Sequence, residues 1–134
     1  MITKTYADSV VKDIVQWVEN SLTSTLLVEE IAEKSGYSRW HFQRIFKHAT
    51  GIALGEYVRA RRLTCAAVEL KLTTKTVLEI ALHYGFESQQ TFTRSFKNKF
   101  HLPPGIYRKQ IAWDLSALCP PLLLEHEENF TNVN

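Results

Sequence analysis

Residues 31–50 read IAEKSGYSRWHFQRIFKHAT, and residues 80–100 read IALHYGFESQQTFTRSFKNKF. The two stretches share one pattern: Ile-Ala, then Gly with an aromatic residue, then Ser and a longer segment that contains Phe-Lys. The offset between the copies is 49 residues before Glu87 and 50 residues after it. A short helix, a turn containing Gly and a Ser-capped second helix are typical of a helix-turn-helix, although the spacing alone also fits another helical hairpin.

Helical periodicity extends through most of the chain, which has only five Gly and four Pro. Caps are indicated at Asp8, Ser38 and Ser88, and Thr76 with Glu79 has the spacing of a capping box. We therefore predict an all-α protein with no strands and about seven helices. The predicted helices cover residues 8–20, 28–35, 38–50, 54–72, 76–85, 88–100 and 105–109.

The repeat divides the chain into two helix-turn-helix subdomains, over residues 8–53 and 73–109, joined by a long connecting helix over residues 54–72. Up to residue 109 the chain has 16 Lys and Arg against 10 Asp and Glu, whereas residues 110–134 have four acids and no Lys or Arg. The basic body favours a polyanionic partner only weakly, because many globular proteins carry such a surplus. We expect residues 110–134 to form an acidic, partly disordered tail that the fold does not need.

Each second helix of the repeat has an apolar stripe and an opposite polar stripe. Phe42 and Phe46, like Phe92 and Phe96, lie at the spacing of a buried face. The predicted outward positions are Trp40, Gln43, Arg44 and Lys47 in the first copy, and Gln90, Thr93, Arg94 and Lys97 in the second. Arg and Gln match guanine and adenine edges, and Lys suits phosphate. The alternative is that both polar stripes are merely solvated faces and that Trp40 is a half-buried packing residue. Ordinary exposed helices mix Glu with Lys, however, so two copies of a stripe with few acids favour DNA binding.

At these residues the sequence resembles the AraC/XylS family of transcription regulators, in its MarA/SoxS/Rob/TetD branch. The resemblance runs from about Val10 to Arg108. It rests on Ile31-Ala32, Gly36-Tyr37-Ser38, Trp40-His41, Gln43-Arg44, Phe46-Lys47, Tyr57, the run Arg59-Ala60-Arg61-Arg62-Leu63, Ile80-Ala81, the run Gly85-Phe86-Glu87-Ser88-Gln89-Gln90, Phe96-Lys97, Pro103-Pro104 and Tyr107-Arg108.

The resemblance implies a monomeric activator that binds an asymmetric promoter site in double-stranded DNA and recruits RNA polymerase. The implied base-contacting residues are Trp40, Gln43, Arg44, Gln89, Gln90, Thr93 and Arg94. The implied DNA-backbone contacts are Ser38, Arg39, Lys47, Ser88, Lys97 and Arg108. His101 stands where many relatives have Gly, at a position that favours positive φ.

The connecting helix sets the expected spacing of the two recognition helices. Its 19 residues give a length of about 28 Å. Major-groove faces on one side of B-DNA repeat about every 34 Å, so we expect one chain to occupy neighbouring turns.

Other classes of protein find little support in the sequence. Neither of the two cysteines, Cys65 and Cys119, has a neighbouring Cys or His at metal or redox spacing, and the five His are scattered, so no catalytic residue, metal or cofactor is predicted. A signal peptide and a membrane span are not indicated, so we expect a cytoplasmic protein without a membrane partner. The resemblance covers nearly the whole sequence, so we expect no separate sensor domain. It also implies that regulation depends on how much of the protein is made and degraded.

Two alternatives remain open. The chain could be a helical interaction module that acts mainly through RNA polymerase or a partner regulator, which the acidic, leucine-containing tail favours slightly. It could instead be a non-specific architectural DNA binder, in which mostly Lys and apolar wedges would be expected in place of the Arg and Gln stripe.

Overall fold

The computed structural model describes residues 2–25, 28–112 and 115–122. Across these residues the chain forms seven α-helices and one 3₁₀ turn, and no strand is present there. The prediction of an all-α protein with about seven helices is confirmed. The helices are α1 (Ile2–Asn20), α2 (Val28–Ser35), α3 (Arg39–Thr50), α4 (Leu54–Leu72), α5 (Val77–His83), α6 (Gln89–Phe100) and α7 (Pro104–Lys109), and the 3₁₀ turn is Leu115–Ala117.

The first helix begins earlier than predicted. It starts at Ile2, six residues before Asp8, so the prediction that Asp8 caps it is wrong. Asp8 is instead an exposed residue inside the helix. No Gly or Pro precedes Asp8, so no helix-breaking residue stops the helix from beginning before its apolar stripe begins.

The other predicted caps are confirmed. Ser38 Oγ accepts a hydrogen bond from the His41 N–H at 3.2 Å, and Ser88 Oγ accepts one from the Thr91 N–H at 3.1 Å. At α5, Thr76 and Glu79 form a capping box with hydrogen bonds of 3.0 and 3.1 Å. These bonds lower the pKa of the Glu79 carboxyl from its usual value, because they stabilise the carboxylate.

A left-handed glycine makes the turn in each copy of the repeat. Gly36 and Gly85 both have φ +81°, a conformation that side chains with a Cβ seldom adopt. Both repeat helices also end in a left-handed residue, Gly51 with φ +82° and His101 with φ +68°. The N–H of each end residue donates at 2.7 Å, to the Lys47 carbonyl in one case and to the Lys97 carbonyl in the other. The expected positive φ of His101 is confirmed.

Contacts group the chain into two compact units. The first takes the described residues of Met1–Ser21, Leu26–Tyr57 and Pro121–Asn134, and the second takes Leu22–Thr25 and Val58–Pro120. The first unit buries Val10, Val11, Ile14, Val15, Val18, Ile31, Ala32, Phe42, Phe46, Leu54 and Tyr57. The second buries Leu63, Ala66, Ala67, Leu70, Ile80, Ala81, Tyr84, Phe92, Phe96, Phe100 and Tyr107.

The two cores repeat one aromatic arrangement. In the first unit the Phe46 ring centroid lies 6.3 Å from that of Phe42 and 6.0 Å from that of Tyr57. In the second unit the Phe96 centroid lies 5.6 Å from Phe92 and 5.2 Å from Tyr107. Each second helix of the repeat is therefore held by an inward aromatic face.

Two arginines of the second unit donate hydrogen bonds to backbone carbonyls near the ends of helices. Arg62 on α4 donates to the Leu22 carbonyl at 2.9 Å and to the Ser24 carbonyl at 2.7 Å. Burial lowers the pKa of its guanidinium from the usual value. Arg108 on α7 donates to three carbonyls near the end of α4, those of Leu70, Thr73 and Lys75. Carbonyls in the last turn of a helix, and just after it, lack helical partners, and these guanidinium groups donate to them.

Part of the predicted tail packs against the fold. Leu118 packs against the core of the second unit. The Cys119 N–H donates to Thr64 Oγ1 at 2.8 Å, and its carbonyl accepts from Arg61. In the first unit the Leu122 N–H donates to the Tyr57 hydroxyl at 3.1 Å. Residues 113–114 and 123–134 lie outside the described residues, so the expectation for the tail as a whole stays a prediction.

Within the described parts of the chain, none of the helices combines the length and the apolar character that crossing a membrane requires.

Ending the chain at Lys109 should lower the free energy of unfolding by about 2 to 4 kcal/mol, because it removes Leu118 burial and the Cys119 hydrogen bonds. We expect the fold still to form. A chain ending at Leu122 is the matched control, since it keeps these contacts. Urea unfolding of both proteins measures the difference, and equal stabilities would show that residues 110–122 contribute nothing.

Exchanging the residues at the two left-handed helix ends should have opposite effects. Gly51→His should lower the free energy of unfolding by about 1 kcal/mol, because a Cβ is strained at positive φ. No atom lies within 4 Å of the Cβ position at Gly51, so a steric clash adds nothing. His101→Gly should raise the free energy of unfolding by about 0.5 kcal/mol, since glycine relieves the strain but loses more entropy on folding. Thermal unfolding tests both, and a destabilising His101→Gly would contradict the argument.

Candidate nucleic-acid interface

The outward face of α3 carries the predicted polar stripe. Phe42 and Phe46 are fully buried on the opposite side of the helix. Trp40, Gln43, Arg44 and Lys47 are all exposed. The accessible fraction of Trp40 is 65%, so the alternative that it is a half-buried packing residue is wrong. A large indole with this exposure is available to a partner.

Trp40 and Arg44 contact each other on this surface. The Arg44 guanidinium carbon lies 4.7 Å from the centroid of the indole ring. This is the distance of a cation–π contact. The first stripe therefore includes a stacked pair rather than four independent side chains.

The outward face of α6 repeats the arrangement with different residues. Phe92 and Phe96 are fully buried, and Gln89, Gln90, Arg94 and Lys97 are exposed. Thr93 is half-buried. Its side chain is therefore only partly accessible to a partner.

The charged side chains of α3 and α6, apart from histidine, are all positive. α3 contains Arg39, Arg44 and Lys47 and no Asp or Glu, and α6 contains Arg94, Lys97 and Lys99 and no Asp or Glu. α2, by contrast, contains three Glu and one Lys. Clustered positive charge with no carboxylate on the same helix attracts a polyanion and releases its counterions.

The predicted DNA-backbone residues at the helix starts lie at the N-termini of the two second helices. Ser38 and Ser88 are the caps of α3 and α6, where free N–H groups and the helix dipole favour an anion. Arg39 is exposed and forms an ion pair with Glu29 at 3.2 Å. An exposed pair of this kind contributes little to stability, so a phosphate can replace the carboxylate.

Arg108 forms hydrogen bonds within the second unit. It was predicted as a DNA-backbone contact, yet its guanidinium donates to the carbonyls of Leu70, Thr73 and Lys75. The donors in these bonds are the Nε atom and one of the two terminal nitrogens of the guanidinium. These bonds link α7 to the end of α4, and a DNA-backbone contact by Arg108 stays a prediction.

A flanking row of exposed polar side chains was missed by the sequence analysis. His41 and His48 on α3 and Thr91 and Asn98 on α6 are exposed one position along from stripe residues. They match each other at the same offset of 50 residues. The 50-residue offset could have indicated these residues, because they occupy matching positions in the two copies. The sequence analysis chose residues by helical period along one stripe, and that choice left out the neighbouring row.

Among the described residues, no three His, Cys, Asp or Glu side chains lie together as metal ligands do. Cys65 and Cys119 are both half-buried and neither forms a disulfide.

Comparison with known proteins agrees with this geometry. A family model described as a helix-turn-helix domain matches residues 31–110. The TetD protein of transposon Tn10 from Escherichia coli is 54% identical over 110 residues, which are 82% of this chain and 80% of TetD. The multiple antibiotic resistance protein MarA of Salmonella typhimurium is 50% identical over 98 residues, which are 73% of this chain and 77% of MarA.

The transcriptional regulator Rob of Salmonella typhimurium is 48% identical over 115 residues, which are 86% of this chain. The chain spans only 40% of the length of Rob.

Solved structures show the same fold. An AraC-type regulator from Chromobacterium violaceum matches 78% of this chain and 96% of its own length, with a TM-score of 0.71 and 28% identity. The DNA-binding domain of AdpA, solved in complex with a target DNA, matches 73% of this chain and 88% of its own length, with a TM-score of 0.69 and 28% identity. From the repeated fold and these relatives, the chain belongs to the AraC/XylS family of DNA-binding transcription regulators, in the branch that includes TetD, Rob and MarA.

Proposed function

We propose that this protein is a sequence-specific activator that binds an asymmetric promoter site as a monomer and recruits RNA polymerase. The observation that carries the specific-binding part is the pair of exposed, acid-free stripes on α3 and α6, each held outward by buried phenylalanines. Activation and polymerase recruitment are supported by membership of the family. We expect the protein to act in the cytoplasm, where bacterial DNA lies.

Base recognition is assigned to the outward side chains of both helices. Arg44 and Arg94 present paired N–H donors that fit guanine O6 and N7, and Gln side chains fit adenine N6 and N7. Trp40 and Thr93 offer apolar contact to thymine methyl groups. The full set is Trp40, Gln43, Arg44, Gln89, Gln90, Thr93 and Arg94.

Backbone contact is assigned to charged and capping residues that flank this set. Lys47 and Lys97 are exposed one turn beyond the two arginines and suit phosphate as mobile point charges. Ser38, Arg39 and Ser88 lie at the N-terminal ends of the helices. Such contacts orient the protein on the duplex without reading sequence.

The differences between the stripes support an asymmetric site. At equivalent positions, Trp40 is matched by Gln90 and Gln43 by Thr93, while Arg44 is matched by Arg94. Side chains of different chemistry prefer different bases, so the two helices of one chain do not read two identical half-sites. A palindrome whose two halves are read by the two helices of one chain is therefore not expected.

Removing a recognition arginine should reduce both affinity and sequence preference. Arg44→Ala or Arg94→Ala should weaken binding to a preferred site, selected from random DNA, by about 1 to 3 kcal/mol and relax the preference at one base pair. Competition gel shifts with the preferred site and a scrambled duplex measure both effects. If both variants discriminate as well as the unmodified protein, the assignment of base readout is wrong.

Removing a phosphate-contacting lysine should affect all sequences alike. Lys47→Ala or Lys97→Ala should weaken preferred and scrambled DNA by the same factor and reduce the slope of log affinity against log salt by about one. Lys109→Ala, on α7 outside both stripes, serves as the control and should leave the slope unchanged. A lysine variant with an altered base preference but an unaltered salt slope would contradict the assignment.

A further inference from the structure

The stacked pair on α3 joins two residues of the proposed base-reading set. Trp40 and Arg44 are four residues apart, one helical turn, and long side chains on a helix lean toward its N-terminus. The Arg44 guanidinium is thus placed over the indole, with its carbon 4.7 Å from the ring centroid. Both side chains are exposed, so the contact exists on the surface that would meet DNA.

Stacking leaves the donors of the guanidinium available. Its N–H groups point outward in the plane of the group, whereas the indole covers one face of that plane. No Asp or Glu is present on α3 to draw the guanidinium into an ion pair along the helix. The edge that fits a guanine therefore stays open.

We infer that Trp40 is a positioning residue for Arg44, which holds the guanidinium in a restricted orientation before DNA binds and so sharpens discrimination at the base pair that Arg44 reads. This inference rests on the proposed function, in which Arg44 contacts a base. A free arginine side chain loses much rotational freedom when it binds. Restricting it beforehand reduces that loss and favours the base that fits the preset orientation.

The second unit provides an internal control. Gln90 stands at the position equivalent to Trp40, and Arg94 at the position equivalent to Arg44. Gln90 has no aromatic face on which a guanidinium can stack. Coupling between the paired positions is therefore expected on α3 and not on α6.

The stack is tested first in the free protein, without DNA. Nuclear magnetic resonance of arginine side chains should show the Arg44 Hδ and Hε signals displaced by the ring current of Trp40, while those of Arg94 stay at ordinary positions. Trp40→Ala should abolish the displacement, and Trp40→Phe should keep part of it. Circular dichroism verifies that both variants fold. An Arg44 spectrum that does not change in Trp40→Ala overturns the inference.

The effect on recognition is tested by a double-mutant cycle on DNA. Discrimination is measured at the base pair whose preference is relaxed, but still measurable, in Arg44→Ala. Trp40→Ala should reduce this discrimination about two- to fivefold, the size of an exposed cation–π contact. It should reduce it no further in the Arg44→Ala background. Trp40→Phe should restore most of the loss, and the Gln90→Ala and Arg94→Ala cycle should show no coupling.

An equal effect of Trp40→Ala with and without Arg44 would overturn the inference, because Trp40 would then act on DNA by itself. The proposed function would survive that result, since discrimination would still be present. An unmodified protein that binds all sequences alike would overturn both the proposed function and the role of the stack in recognition.

Discussion

Burial of phenylalanines determines which side of each recognition helix reaches solvent. Phe42 and Phe46 on α3, like Phe92 and Phe96 on α6, have no accessible surface. Residues follow one another at about 100° around a helix, so turning either helix by one residue would bring its buried rings toward water. Exposing each ring would cost about 1.5 to 3 kcal/mol. Core packing thus fixes the orientation of the outward side chains, which need no interactions among themselves to be displayed.

This constraint lets the two copies differ in recognition while they share a fold. The left-handed turns at Gly36 and Gly85 and the serine caps at Ser38 and Ser88 are common to both. Substitutions on the outward face leave the buried aromatic face unchanged, so Trp40 and its counterpart Gln90 are compatible with the same packing. One chain can therefore present two different outward surfaces on two copies of the same helix-turn-helix fold.

Local signals allowed most of the fold to be predicted from the sequence, because helical period, glycine turns and serine caps depend on residues within a few positions of one another. The start of α1 was missed, since the apolar stripe that indicated the helix begins several residues after the helix itself begins. Contacts between distant residues were also missed. Arg108 meets carbonyls 33 to 38 residues away, and Cys119 meets Thr64 at a separation of 55 residues. Local sequence patterns do not indicate which residues far apart in the chain will form hydrogen bonds.

For the site, exposure of the stripes was predictable, whereas the Trp40 and Arg44 stack depends on side-chain conformation.

Selection of binding sites from random double-stranded DNA, followed by sedimentation of the complex, tests most directly the claim that one chain reads DNA with two unlike helices. We expect an enriched motif with two unequal blocks, bound by a single chain. A palindromic motif occupied by two chains, or no enrichment of any sequence, would contradict it.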